Sequence, residues 1–291
     1  MAFLMNPRQR RFFEVLGLDL AGFPVSNHGA ELGPKSMSLS SAVPQPSARP
    51  PSNLPHPAPA RIEPVAAEPE REDVRAPASA NECSADNVGV DEQSRHAIAA
   101  MDWSTLKDSI AACRACSLGN TRQNAVVGAG SPTGSWFFVG EAPGAEEDRR
   151  GEAFVGRGGQ LLDAMLAAMS LSRTRDVYIA NVLKCRPPNN RDPQGPEVQS
   201  CLPYLERQIA LVQPRIVVAM GRFAAQSLLQ TTTPIGQLRG RVWEYRGIPL
   251  VVTYHPAYLL RNPLDKRKVW EDLKLALSVY PKDSPRTDAM A

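Results

Sequence analysis

Histidine is scarce in this chain of 291 residues, with only His28, His56, His96 and His255 present. Aromatic residues make up 6% of the sequence, and no run of about 18 apolar residues occurs, so no membrane-spanning helix is expected. Arg8, Arg10 and Arg11 near the start are not followed by a long apolar segment, so the N-terminus does not read as a secretory signal. A cytoplasmic protein is therefore expected, in a compartment that keeps thiols reduced. Five cysteines there argue for a metal site rather than for disulfides. Phosphate-binding signatures are missing too. No Gly-Lys-Ser/Thr ending and no Gly-x-Gly-x-x-Gly run follows any strand candidate.

Strong net charge is also lacking, at +3 overall, but its distribution is uneven. Residues 97–281 carry 22 Lys and Arg against 16 Asp and Glu, whereas residues 1–96 carry 9 against 12. The basic part is the candidate for meeting a polyanion, set against an ordinary solvated surface.

The chain divides by composition. Residues 1–24 include PRQRRFFEVLGL, a short amphipathic helix with Pro7 in its first turn and Phe12, Phe13, Val15, Leu16 and Leu18 as apolar surface. It is either a helix that docks on the main domain or a tethered peptide for a protein partner. Residues 25–95 read as a disordered, semi-extended linker. Ten of the 27 prolines fall within residues 41–80, and such a segment buries too little apolar surface to offset its ordering entropy. Cys83 lies in it as a bystander. A folded domain is expected over 96–281, followed by a disordered tail over 282–291.

Within that domain, Trp136–Val139, Val177–Ala180, Ile216–Met220 and Leu250–Thr253 are short apolar runs of strand type. Helical patterns occupy Trp103–Ala112, Leu161–Met169, Val198–Val212, Ala224–Leu229 and Lys266–Ser278. Val242–Tyr245 adds an antiparallel hairpin before the last strand, and Tyr178 a further β contact. Alternating strands and helices predict a three-layer α/β/α sandwich around a central four-stranded parallel sheet, preceded by the disordered N-terminal region. A monomer is expected.

The chain is organised around WFFVGEAPGAEEDRRGEAFVGRGGQLL, Trp136 to Leu162. A strand ends at Gly140, Pro143-Gly144 turns the chain, and a loop rich in glycine and acid leads to a helix beginning near Gln160. Strand, glycine-rich loop and helix in this order build a ligand site at the carboxyl end of a strand. Glycines at 151, 156, 158 and 159 let backbone approach the ligand, and the carboxylates of Glu141, Glu146, Glu147 and Asp148 disfavour a phosphate. Read from composition alone, the same stretch is an acidic surface loop.

Four cysteines, Cys113-x-x-Cys116 with Cys185 and Cys201, form a strong ligand set, as against four buried apolar thiols. Their spacing accepts zinc or a 4Fe–4S cluster equally. His255 and Asn181 each stand at the end of a predicted strand, on the face where α/β sheets carry their sites. For both, a structural role competes.

GEAPGAEED followed by GEAFVGRGGQLL resembles the first motif of the family 4 uracil-DNA glycosylases, the iron–sulfur type. NVLKCRPP and HPAYLLRNP continue the resemblance, which covers about Met101 to Tyr280. It implies a DNA-repair enzyme that hydrolyses the N-glycosidic bond of uracil in DNA and leaves an abasic site. It also implies a structural 4Fe–4S cluster on Cys113, Cys116, Cys185 and Cys201. Asn181 would read the uracil edge, since a side-chain amide can accept from N3–H and donate to O4. Cytosine would mispair with the same amide. Phe154 would stack on the base, with Gly140 and Ala142 lining the pocket. His255 would stabilise charge on the leaving uracil at O2, and Glu141 or Glu147 would hold the water or the oxocarbenium-like sugar. A base in a duplex must be flipped out. Tyr258, Leu259, Leu260 and Arg261 are the expected wedge, with Arg186, Lys266 and Arg267 on phosphates.

Two other readings compete. One is a cysteine-ligated metal module that binds nucleic acid without chemistry. The other is a related glycosylase trapped covalently on DNA, which carries a histidine in a basic insertion. Pro187–Pro196 has no histidine.

Overall fold

A computed structural model describes residues 91–280. The expected N-terminal helix, Cys83, nearly all of the expected linker and the expected tail lie outside the described residues. The folded part starts earlier than residue 96. Helix α1 (Glu92–Ala100) is opened by Asp91, whose carboxylate accepts from the Ser94 amide at 2.7 Å. Helix α2 (Trp103–Ala112) is capped the same way by Asp102.

Six strands form one sheet: β1 (Ala129–Gly130), β2 (Trp136–Gly140), β3 (Val177–Asn181), β4 (Ile216–Met220), β5 (Val242–Tyr245) and β6 (Ile248–Thr253). Their order is β1-β3-β2-β4-β6-β5. The inner four are parallel, as expected, and β1 and β5 pair antiparallel at the two edges. Strands of a parallel sheet are covered on both faces, which is why they appear in sequence as short continuous apolar runs.

The period-two alternation sorts their side chains. Trp136, Phe138, Val177, Ile179, Ile216, Val218 and Val251 face one helical layer. That layer is α5 (Arg157–Ala168), α9 (Pro256–Arg261) and α10 (Lys266–Val279). Phe137, Val139, Tyr178, Ala180, Val217, Ala219, Leu250 and Val252 face the other. The opposite layer is α6 (Gly195–Val212), α7 (Arg222–Leu229), α8 (Ile235–Leu238) and the short α3 (Leu118–Thr121). Helices α1 and α2 pack on α6 through Ile98, Leu106, Ile110 and Tyr204.

Strand β2 is flanked by β3 on one side and β4 on the other, so successive connections leave in opposite directions. The carboxyl ends there open into a crevice, the usual ligand site of such sheets. Two short helices in this region were not expected. Helix α4 (Ala145–Arg150) forms within the acidic loop, with Glu146, Glu147 and Asp148 in its first turn, where the helix dipole favours negative charge. Helix α9 occupies much of the expected wedge, started by Pro256 at its first position. Helix α5 begins at Arg157, three residues ahead of Gln160.

Candidate active site

A cleft of about 900 Å³ lies over the ends of β2, β3, β4 and β6. It brings together Glu141, Ala142, Glu147, Phe154, Asn181, His255, Tyr258 and Arg261, all singled out in the sequence. Gly140 sits beneath them as the last residue of β2, in register with Asn181 on β3. A Cβ at Gly140 would stand 2.3 Å from Asn181 Oδ1 and 2.6 Å from Phe154 Cζ, so only glycine leaves room for both side chains.

Two polar atoms in this cleft are buried without a partner. One is Asn181 Oδ1, an acceptor, and the other is His255 Nε2. The His255 ring accepts from the Ala257 amide through Nδ1, at 3.2 Å, which puts the proton of a neutral ring on Nε2. Burial keeps the ring neutral, pushing its pKa down to about 4, and the charge of Arg261 acts in the same direction. An orphaned acceptor and an orphaned donor in one cleft make it receptive to a ligand that offers the complementary pair.

The Phe154 ring lies 5.5 Å from that of His255. Its backbone has φ of +56°, a sparsely populated conformation for an aromatic residue. Arg173 holds it there, donating to the carbonyl of Phe154 at 3.0 Å and to that of Ala153. Gly159 makes this possible, because a Cβ at that position would collide with the Phe154 carbonyl at 1.8 Å.

The acidic residues separate by what they touch. Glu147 is spent on the loop: Oε2 accepts from the Gly144 amide at 3.1 Å, and Oε1 from Val155 and Gly156 at 3.0 and 2.9 Å. Asp148 is buried and accepts from the amides of Gln123 and Asn124. Glu146 pairs with Arg149 at the surface. Glu141 faces the cleft, and its pKa is raised to about 7 by burial and by the charge of Asp192, with Arg222 opposing.

The expected DNA-contacting residues divide in the same way. Leu259 is 1% exposed and belongs to the core beneath α9, so it is no wedge: helical periodicity turns it inward between Tyr258 and Leu260. Tyr258 is a cleft wall, stacked on Tyr254 and donating to Asp265 at 2.6 Å. Leu260 is 39% exposed, and Leu264, which the sequence reading missed, is 89% exposed. Leu264 lies in the turn Pro263–Asp265 between α9 and α10, directly before Lys266 and Arg267. Its signal was an apolar residue between Pro and Asp at a helix junction. Arg186 lies outside the cleft and donates to Asn190 Oδ1 at 2.8 Å. Arg191 forms a two-pronged pair with Glu197. Arg157 and Arg222 line the cleft and were not singled out.

A second cavity is lined by Cys113, Cys116, Cys185 and Cys201, with Arg122, Lys184 and Tyr204. All four cysteines are free. No group of three or more His, Cys, Asp or Glu side chains among the described residues is arranged to hold a metal ion. Burial raises the thiol pKa of Cys116 and Cys185, and pushes that of Cys201 up to about 12. Positive charge is placed to offset this. Arg122 donates to Cys185 Sγ at 2.9 Å, and the charge of Lys184 acts on Cys201, whose Sγ also accepts from the neutral Lys184 amide at 3.2 Å. Four thiols around one cavity, with two cations beside them, fit a four-thiolate centre in donor chemistry.

The layered sheet and its crevice define an α/β protein whose cleft presents an unpartnered acceptor, an unpartnered donor and one carboxyl of raised pKa. The sequence profile of the Uracil DNA glycosylase superfamily matches residues 127–274. A type-4 uracil-DNA glycosylase of Archaeoglobus fulgidus is 44% identical over 185 residues, covering 60% of this chain and 92% of that protein. Type-4 enzymes of Sulfurisphaera tokodaii and Thermotoga maritima are each 41% identical, over 85% and 94% of their lengths and 61% of this chain. The chain belongs to the uracil-DNA glycosylase superfamily, in its type-4 group.

Proposed function

We propose that this chain removes uracil from DNA by hydrolysing the bond between uracil N1 and deoxyribose C1′. The observation that carries this reading is the pair of unpartnered atoms in the cleft, Asn181 Oδ1 and His255 Nε2. Uracil offers an N–H at N3 and a carbonyl at C2, the complement of that pair. Asn181 Oδ1 accepts from N3–H while its amide nitrogen donates to O4. Cytosine has no N–H at N3, so it leaves the acceptor unpaired in a buried site. The Gly140 floor and the Phe154 ring set a flat pocket for the base.

The transition state carries positive charge on the sugar and negative charge on the departing base. His255, held neutral, donates from Nε2 to uracil O2, and its donor is in place before charge develops. Glu141 faces the sugar side of the cleft, supports the oxocarbenium-like carbon and takes a proton from the attacking water. The electrons of the N1–C1′ bond leave with uracil as its anion, and water supplies the hydroxyl at C1′. Glu147 is left to hold the loop.

Flipping needs a group to fill the space left by the base. Leu260 and Leu264 are the exposed apolar residues placed for this, flanked by Arg261, Lys266 and Arg267 for phosphates. Cys113, Cys116, Cys185 and Cys201 would hold a 4Fe–4S cluster. When bound, that group supplies a structural link between α2, the end of β3 and α6.

The test is release of free uracil from a single-uracil oligonucleotide. Release by the wild-type chain and its loss in His255→Ala support the reading. DNA binding without uracil release would leave the non-catalytic metal module in its place.

A further inference from the structure

We propose that Lys184 is a positioning residue that ties the base-reading end of β3 to the four-cysteine centre. It rests on the glycosylase reading above and concerns a residue that touches neither base nor sugar.

Lys184 is one of the largest fully buried side chains in the protein, at 1% exposure. Its ammonium donates to the backbone carbonyl of Asn181 at 2.7 Å and to Gln208 Oε1 at 2.6 Å. Gln208 in turn donates to the Val127 carbonyl at 2.8 Å. The Lys184 backbone is gripped from the other side. Its amide donates to Cys201 Sγ at 3.2 Å, and its carbonyl accepts from Val126 at 2.8 Å. Cys185 follows directly, with its sulfur bound by Arg122.

Five residues thus hold both ends of a lever. Asn181 presents its side chain to the cleft, and Cys185 presents its sulfur to the cysteine cavity. Lys184 closes the loop between them by bonding back to the Asn181 carbonyl. That bond fixes the peptide plane leaving Asn181, and with it the direction of the Asn181 side chain over Gly140. The remaining supports of this turn, Val182 to the Gly140 carbonyl and Leu183 to the Glu141 carbonyl, are backbone bonds that any side chain would keep. The ammonium is therefore the side-chain bond that ties the Asn181 carbonyl to a residue whose own amide is held by Cys201. A buried cation is costly unless its hydrogen bonds are made, and here they are made to the carbonyls of Asn181 and Gln208, which suits a positional role.

The experiment uses the full chain with Lys184→Met, purified with its metal content measured. Single-turnover release of uracil and of 5-fluorouracil is compared from otherwise identical oligonucleotides. Fluorouracil is the better leaving group and depends less on hydrogen bonds to its ring carbonyls. Misplacement of Asn181 should lower the uracil rate by about 10-fold or more, and the fluorouracil rate several-fold less, as for loss of a transition-state donor. Affinity for abasic-site DNA should stay within about twofold, because phosphate contacts dominate it. A general loss of folded protein or of metal would instead lower both rates by the same factor, and an unchanged ratio of the two rates overturns the proposal. A wild-type chain that releases neither base would overturn the glycosylase reading, a separate outcome. Should Lys184→Met fail to accumulate or to retain metal, Gln208→Met removes the other acceptor at a distance from the cysteines. It should shift the ratio in the same direction, and an unchanged ratio there overturns the proposal equally.

Discussion

Replacing Glu141 by Gln should make this protein more stable and much less active, with the gain in stability confined to one side of a pH window. Burial and Asp192 raise the Glu141 pKa from 4.5 to about 7, so the folded state binds a proton there that the unfolded chain has released. The penalty for holding the charged form therefore grows as pH climbs from about 4.5 to 7, and it is complete above 7. At about 1.4 kcal/mol per pH unit, the shift corresponds to roughly 3 kcal/mol. Glu141 is partly open to the cleft, and screening there reduces the figure to about 1–2 kcal/mol. Glutamine keeps the shape without the charge. Its advantage over wild type should be absent at pH 4 and full at pH 8, where a domain of this size should melt about 3–6 °C higher. Meanwhile the single-turnover rate on a uracil duplex should fall by about 10²-fold or more. The wild-type kcat/KM should rise with pH through about 7, as the carboxyl ionises. Melting curves of both proteins at several pH values, with rates on one oligonucleotide, check this. A Glu141→Gln protein that is less stable at pH 8, or no different there from pH 4, refutes the burial argument. A wild-type rate refutes the catalytic assignment.

Glu147→Gln should behave oppositely, because one amide oxygen cannot replace a carboxylate that accepts three backbone N–H groups. Chemical denaturation should show a loss of about 1–3 kcal/mol. His255→Ala should lower the single-turnover rate by about 10²-fold or more with little change in DNA affinity, measured by binding to an uncleaved duplex. Leu264→Ala should slow uracil release from paired duplex while sparing single-stranded DNA, and equal effects on both would remove it from the wedge. Cys185→Ser should abolish visible absorption and lower the melting temperature in anaerobically purified protein; stoichiometric zinc in a colourless wild type would exclude the iron–sulfur centre.

The parallel sheet was legible in the sequence because its strands are buried on both faces. Trp136–Val139, Val177–Ala180 and Ile216–Met220 could only be short apolar runs, and each lies where expected. Asn181 and His255 were legible for a related reason, since a polar residue one or two positions past such a run lands on the crevice side of the sheet. Local signals failed where a helix had no apolar stripe. Helix α4 is six residues long, five of them acidic or basic, and its first turn is secured by the Glu147 carboxylate. Only the tertiary structure could separate Glu141 from Glu147. Three amides, from residues 144, 155 and 156, converge on Glu147, and that convergence depends on how a loop closes in space. Likewise Leu259, Leu260 and Leu264 are the same residue type, and the register of α9 against the sheet buries the first while the following turn exposes the last. The four cysteines were marked as a set by their number and spacing, and the fold gathers them around the centre of one cavity. That Lys184 reaches back from that centre to the carbonyl of Asn181 is a property of the folded turn, because sequence order fixes which residues are near in the chain and only packing fixes where an ammonium can be buried.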